Sequence, residues 1–434
     1  MAGVSDLYRY TATELATKIA SGEINHTDIL ESQLARIEAR EPHVRAWAWH
    51  DPANVRQQLQ ALTPAQHSLL LAGVAIGIKD IIDTAQMPTA YGSEAYLGHR
   101  PAQDASVIRT LQDAGAILMG KTVTTEFAHI HAGPTVNPHN FAHTPGGSSS
   151  GSAAAVADGM VAMALGSQTG GSTIRPAAFC GVVGFKPTYG RIGLEGVMPL
   201  SGAMDTMGLM ARSVDDIALL SSVLLGPTFA HVGSANNPVF AWYPGPEADE
   251  ADQDSVKLLT RARQQLVEQG AQFVAVDLPH AEFAAVGRAN RLIMAYQAGH
   301  HHAALYRNQP DKLGASTRKL IEAGLAMTRT QFEDEIDRVA RARELFQQAM
   351  SGIDALLTFS APGQAPRVED GTGASTFNRI WTTLGAPCLT LPAGQSESGL
   401  PLGVQFVANH NQDETLLRLG KRFESVFKAR LPCV

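Results

Sequence analysis

The chain has 434 residues, 44% apolar and 17% charged, with 40 glycines and a formal net charge of −7. That is ample for a hydrophobic core, so a disordered chain is excluded, and a mildly acidic chain without a basic run is a poor nucleic-acid binder. Three scattered cysteines (Cys180, Cys388, Cys433) fit neither a disulfide framework nor a zinc site.

No apolar run reaches the roughly 18 residues of a membrane span. The start, from Met1 to Tyr10, lacks the apolar stretch of a secretory signal, so the expected setting is the cytoplasm, away from membranes.

In chain order, Thr11 to Glu14 has the spacing of a capping box and opens a helix. A second helix is expected over 28–40, with Ile29, Leu30, Leu34 and Ile37 on one face. Residues 71–78 read as a buried strand ending at Lys79 and Asp80. Helix 105–116 and strand 116–119 follow, then helix 153–158 and strand 161–165. Ser213 opens a helix reaching Leu225; an amphipathic helix over 255–268 feeds a strand over 273–276. His300, His301 and His302 fall on a helix, and a charged helix over 331–350 precedes a strand over 353–359. Strands at 389–391 and 404–407 and a helix over 414–427 complete the chain.

This alternation predicts an α/β fold: one large domain with a central mixed sheet covered by helices on both faces. Within it, N-terminal helices would occupy about 11–60 and a catalytic core about 65–225. The remainder, about 226–434, would complete the sheet and the substrate pocket. The polar stretch 243–254 reads as a surface loop.

Eleven of the 40 glycines crowd between Pro145 and Gly193, which makes this segment the place to look for chemistry. Successive glycines let backbone amides approach a ligand and form an anion-binding nest. A phosphate loop fails, because no Gly-Lys-Ser/Thr follows either cluster. A nucleophile elbow at Ser149 fits G-x-S-x-G, but its lead-in, 137–145, carries two prolines and reads as loop rather than strand.

The third reading places a nucleophile at Ser172. A strand near Leu165 runs into Gly166 to Gly171, a short helix begins near Thr173, and the amides of Thr169, Gly170, Gly171 and Ser172 surround the hydroxyl. A developing oxyanion needs such fixed donors. The same pattern also describes an ordinary serine at a helix start.

A serine nucleophile needs a base. His129, His131, His139 and His143 lie in loop-like sequence, where a hydrogen-bonded surface role is the simpler reading. Lys79, ending an apolar strand, is the better candidate if burial lowers its pKa; the alternative is a lysine snorkelling to solvent. Ser316 and Lys319 match S-x-x-K inside a charged helix, where chance suffices.

Together these segments resemble the amidase signature family. Residues 144–156 resemble its glycine/serine-rich motif, and residues 168–181 its nucleophile segment, followed by Gly184-Phe-Lys-Pro-Thr188. Residues 197–201, 399–405 and 413–417 are family-like too, and the similarity runs from about 11 to 427.

The resemblance implies a Ser–Ser–Lys triad: Ser172 as nucleophile, Ser148 as bridging serine after a cis Gly147–Ser148 bond, and Lys79 as base. The amides of residues 169–172 would form the oxyanion hole, with Ser149 supporting the loop beside the substrate. Neither metal nor organic cofactor is implied.

Gln168 stands where many members carry Asp. Arg175, three residues after Ser172, resembles the malonamidase type, whose arginine binds a substrate carboxylate. The alternative is that Arg175 braces the loop through a buried acid.

The expected activity is hydrolysis of a small, carboxylate-bearing amide through an acyl-serine. The competing readings are the amidase subunit of a transamidation complex and a catalytically silent anion-binding protein. Phe127, His131, Phe377, Trp381 and Cys388 are candidates for the acyl pocket or for plain core, and a homodimer is left open.

Overall fold

The computed structural model describes residues 4–63, 66 and 69–427; Cys433 lies outside them. Thr11 opens the helix Ala12–Ala20 as a full capping box: its hydroxyl accepts from the Glu14 amide at 3.2 Å, and the Glu14 carboxylate accepts from the Thr11 amide at 2.8 Å. The next helix, His26–Val44, extends beyond the expected 28–40 at both ends because Asn25 supplies its own capping box. Ile29, Leu30, Leu34 and Ile37 are all buried, as the spacing required.

Among the described residues eleven strands form one sheet. They are β1 (Trp47–His50), β2 (Ala75–Lys79), β3 (Ile117–Thr122), β4 (Met163–Gln168), β5 (Val183–Lys186) and β6 (Thr206–Ala211), then β7 (Val239–Trp242), β8 (Gln272–Val274), β9 (Ala355–Phe359), β10 (Cys388–Gln395) and β11 (Pro401–Val407). Their order is β1-β3-β2-β4-β6-β5-β10-β11-β9-β7-β8. β2 runs parallel to both β3 and β4, whereas the pairs β4–β6, β6–β5, β5–β10 and β10–β11 are antiparallel, so the sheet is mixed.

Alternation along the central strands separates two cores. Ala75, Ile117, Met119 and Ala164 face a cluster with the helices His26–Val44 and Ser150–Ala157. Ile76, Ile78, Leu118 and Leu165 face the other, with the helices Ser106–Asp113 and Val214–Leu224. This is the single α/β fold, helices on both faces, that the alternation of elements predicted.

β5, β6 and β7 and the helix Thr376–Leu384 went unread in the sequence, the strands being short and, in β6, broken by Gly208 and two methionines. The 29-residue helix His280–Asn308 was marked only by its histidines, since its buried positions are largely small residues such as Ala285, Gly287, Ala289 and Ala298. Of the stretch 243–254, residues 243–252 form a connecting loop holding one short helical turn, and the last two already belong to the helix Gln253–Glu268 that Asp252 caps.

Candidate active site

The carboxyl ends of β2 and β4 lie side by side, since Ile78 pairs with Leu165. β2 ends at Lys79 and β4 ends at Gln168, so the base candidate and the loop 169–172 emerge at one edge of the sheet, where open α/β sheets place their ligands. The third part comes from the loop leading into the helix Ser150–Ala157. That helix packs so closely that a Cβ on Gly151 would stand 2.2 Å from the Ala46 carbonyl oxygen and 2.3 Å from the Val123 nitrogen. Part of the glycine excess therefore serves helix-to-strand packing rather than ligand approach.

Lys79 is fully buried, and its Nζ lies 2.7 Å from Ser148 Oγ and 2.8 Å from Ser167 Oγ. Burial pushes the lysine well below its ordinary pKa, opposed by the carboxylate of Asp205. Asp205 is itself pushed up to about 6, again by burial. Its carboxylate accepts from Thr169 Oγ1 at 2.5 Å and from the Leu200 and Ser201 amides at 2.8 and 2.9 Å. Both shifts favour neutral forms, and a neutral amine is what a general base needs. The reading of Lys79 as a strand-end lysine reaching solvent is thus excluded.

The Gly147–Ser148 peptide bond is cis. Ser148 accepts at its carbonyl from the Thr125 amide at 3.2 Å, while the Ser149 amide donates to the Ser172 carbonyl at 3.3 Å, joining the two serine loops. Ser149 Oγ accepts from the Ser167 amide at 3.2 Å and lies 3.3 Å from the Ser167 carbonyl, so it ties its loop to β4. Ser172 is 8% exposed and the most accessible of the three triad candidates. Among the described residues no hydrogen bond joins its hydroxyl to Ser148.

The helix after the nucleophile candidate is Ile174–Cys180, with Thr173 at its N-cap, so Ser172 lies just outside it. Gln168 takes the N-cap amide and the first helical amide: its Oε1 accepts from Thr173 at 2.9 Å and from Ile174 at 3.0 Å. Its Nε2 donates to Thr382 Oγ1 at 2.9 Å, and Thr382 Oγ1 donates to the Gly170 carbonyl at 2.6 Å. Asn290 Nδ2 holds the Thr169 carbonyl at 2.9 Å. With the carbonyls of residues 169 and 170 tied back, the loop is fixed on one side. Among the described residues, no turn or loop hydrogen bond consumes the amides of Thr169, Gly170, Gly171 or Ser172.

A model of the Amidase family matches residues 28–417. The chain belongs to the amidase family. It is 32% identical to a glutamyl-tRNA(Gln) amidotransferase subunit from Chloroflexus aggregans, with 98% of this chain and 97% of that protein covered. Among solved structures, an amidase superposes with a TM-score of 0.87 at 31% identity, covering 96% of this chain and 99% of that one. Peptide amidase from Stenotrophomonas maltophilia gives 0.83 at 28% identity, covering 98% and 99%. The chain is accordingly a hydrolase of amide C–N bonds.

Other sequence-read residues of this amidase fall as follows. Arg175 is buried; its Nη1 donates to the Gly373 carbonyl and its Nη2 to the Gly147 carbonyl, with Thr372 Oγ1 at 3.5 Å. The partners are backbone carbonyls, not the buried acid considered as the alternative. Trp381 packs with Tyr243 and Phe346, Phe377 with Phe359, and Cys388 is buried on β10, all in the core. Phe127 meets Tyr96 edge to face and His302 at a tilt. His139 and His143 bond the carbonyls of Cys180 and Ala365, in keeping with structural roles. No helix among the described residues is long and apolar enough to cross a membrane.

Sequence reading missed Ser167, Asp205 and Asn290. Ser167 sits within the glycine/serine cluster, but only the β2–β4 pairing aims it at Lys79. Asp205 is the one of the three with a usable signal, an acid in otherwise apolar sequence before β6.

Proposed function

We propose that the chain hydrolyses a small primary amide to acid and ammonia through an acyl-Ser172 intermediate, with Ser148 and Lys79 as its proton relay. The observation that carries this reading is Lys79. It is a fully buried lysine, driven toward the neutral amine, whose Nζ lies 2.7 Å from the hydroxyl of a serine in the loop bonded to Ser172.

As Ser172 Oγ attacks the carbonyl carbon, its proton passes to Ser148 Oγ and the Ser148 proton to the Lys79 amine. The gap between Ser148 and Ser172 closes on substrate binding, as catalytic hydrogen bonds commonly do. The amides of residues 169–172 hold the oxyanion. Collapse breaks the C–N bond while Ser148 gives a proton to the leaving nitrogen and regains one from the lysine ammonium, so neutral ammonia departs. Water then attacks the acyl carbon through the same relay, releasing the acid and restoring Ser172. None of these steps calls for a cofactor. The arginine after the nucleophile, Arg175, braces the bridging-serine loop; its hydrogen bond to the Gly147 carbonyl supports that role.

Ammonia release across a panel of primary amides tests the reading. Ser172→Ala and Lys79→Ala should each lose at least about 1,000-fold in kcat, and the double variant should lose little more, because the groups act as one unit. Activity surviving in Ser172→Ala would remove the nucleophile and with it the proposal.

The similarity to an amidotransferase subunit over nearly the whole chain favours a second reading, in which ammonia passes to a partner protein. Glutaminase activity of the isolated chain, with a size-exclusion shift on adding candidate partners, would support it. The silent anion-binding alternative has no use for the buried Lys79–Ser148 contact.

A further inference from the structure

Resting on the amidohydrolase reading, we propose that Arg379, with Ser375, forms a subsite on one face of Gly170, beside the Asn290 amide, that takes the carboxylate of the amide substrate. The helix Thr376–Leu384 lies against the nucleophile loop, fixed there by the bond from Thr382 to the Gly170 carbonyl. A Cβ on Gly170 would meet Ser375 Oγ at 3.5 Å, Asn290 Oδ1 at 3.7 Å and Arg379 Cγ at 3.9 Å. The side chains of Ser375 and Asn290 and the aliphatic stem of Arg379 thus line this face, two residues from Ser172.

Two of them carry unspent hydrogen-bonding capacity. Asn290 is fully buried; its Nδ2 serves Thr169 and Thr383, yet its Oδ1 has no hydrogen-bond partner among the described residues. A buried orphan acceptor is costly and calls for a donor. Arg379 is half-buried, and no ion pair or guanidinium hydrogen bond among the described residues includes it. Glu247 and Glu250 favour its charge at longer range, while burial and Arg291 oppose it. Glu250 is already engaged by Thr376 Oγ1 at 2.7 Å.

Arg379 and Arg175 also repel each other, and among the described residues no acid forms an ion pair with either. Of the two guanidinium groups beside the nucleophile, Arg175 spends its terminal nitrogens on the Gly373 and Gly147 carbonyls. Arg379 keeps its planar fork for an anion. The implied substrate class is a short half-amide of a dicarboxylic acid, and an N–H or O–H donor beside its carboxylate would satisfy Asn290.

The experiment measures kcat/KM for half-amides of malonic through adipic acid, each against the neutral amide of the same carbon count. Wild type should prefer the best half-amide by at least roughly 10-fold. Arg379→Gln should cut that ratio roughly 10- to 100-fold, chiefly through KM, and Arg379→Lys should retain part of it. Ser375→Asp, which sets an anion beside Arg379, should also lower the ratio and serves if Arg379→Gln fails to fold. Arg175→Gln should depress both substrates alike. A wild-type ratio near one throughout the series, or a ratio that survives both Arg379→Gln and Ser375→Asp, overturns the subsite while leaving amide hydrolysis standing. Ammonia release persisting in Ser172→Ala overturns the underlying reading instead.

Discussion

Gly171→Ala tests whether the loop before Ser172 supplies the oxyanion donors. A Cβ at Gly171 would stand 2.4 Å from Asn378 Oδ1, 2.8 Å from Ser375 Cβ and 3.0 Å from Asn378 Cβ. Asn378 cannot step aside. It is fully buried, its Nδ2 donates to the Ser360 carbonyl at 3.0 Å and to Gln405 Oε1 at 3.3 Å, and Gln405 is in turn held by the carbonyls of Phe359 and Phe377. Reaching ordinary contact therefore requires the loop to move by about 1 Å.

Such overpacking costs about 1–3 kcal/mol of stability. A displacement of that size at the reacting carbonyl costs roughly 100-fold in kcat. Gly170→Ala is the control for stability, because its contacts at 3.5–3.9 Å are ordinary and the change should stay within about 0.5 kcal/mol. Urea unfolding and ammonia-release kinetics on the two variants decide the matter. If Gly171→Ala kept kcat within threefold of wild type at unchanged stability, the amides of this loop would not be the oxyanion donors.

Asp205→Asn removes the carboxylate that opposes the lowering of the Lys79 pKa. Since the neutral amine is the active form, the rising limb of kcat/KM against pH should move to lower pH; a limb that stays put or moves upward refutes the coupling. Arg175→Gln should lower both kcat and the urea midpoint, because it releases the Gly147 and Gly373 carbonyls together; loss of activity at full stability would argue against bracing. Asp158 is fully buried and paired with Arg36 at 2.7 Å and Arg40 at 2.9 Å, tying the end of the helix Ser150–Ala157 to His26–Val44. Asp158→Asn should cost about 3 kcal/mol by leaving two cations uncompensated, and a urea-unfolding loss below about 1 kcal/mol would show the pairs to be dispensable.

Helix starts were legible at Thr11 and Ser213, whose side chains cap their own helices, because a cap is a local bond within four residues; the caps Asn25, Asp252 and Thr328 went unread, and those helices begin about two residues before the expected starts. β2, β3, β4 and β9 were legible as apolar runs, whereas β5 and β6, at the centre of the sheet, were not. The helix His280–Asn308 was not, since small residues pack on several of its sides: a Cβ on Gly299 would meet the Gly324 Cα at 2.9 Å, an approach no hydrophobic stripe announces.

For the chemistry, the local glycine/serine pattern and its family resemblance made Lys79, Ser148 and Ser172 the candidates. Tertiary structure decided what surrounds them and set Lys79 against Ser148. Parallel pairing of β2 with β4 sets Ser167 beside Lys79 across 88 residues of sequence, and burial rather than spacing drives the lysine toward its neutral form. Tertiary structure also turned Arg175 inward onto backbone carbonyls and placed the stem of Arg379, on a distant helix, beside Gly170, with no ion pair to it among the described residues. Residue type and spacing specify what a side chain can do; hydrogen-bond partners and solvent access, which only the packed fold defines, determine which of those capacities remain free for substrate.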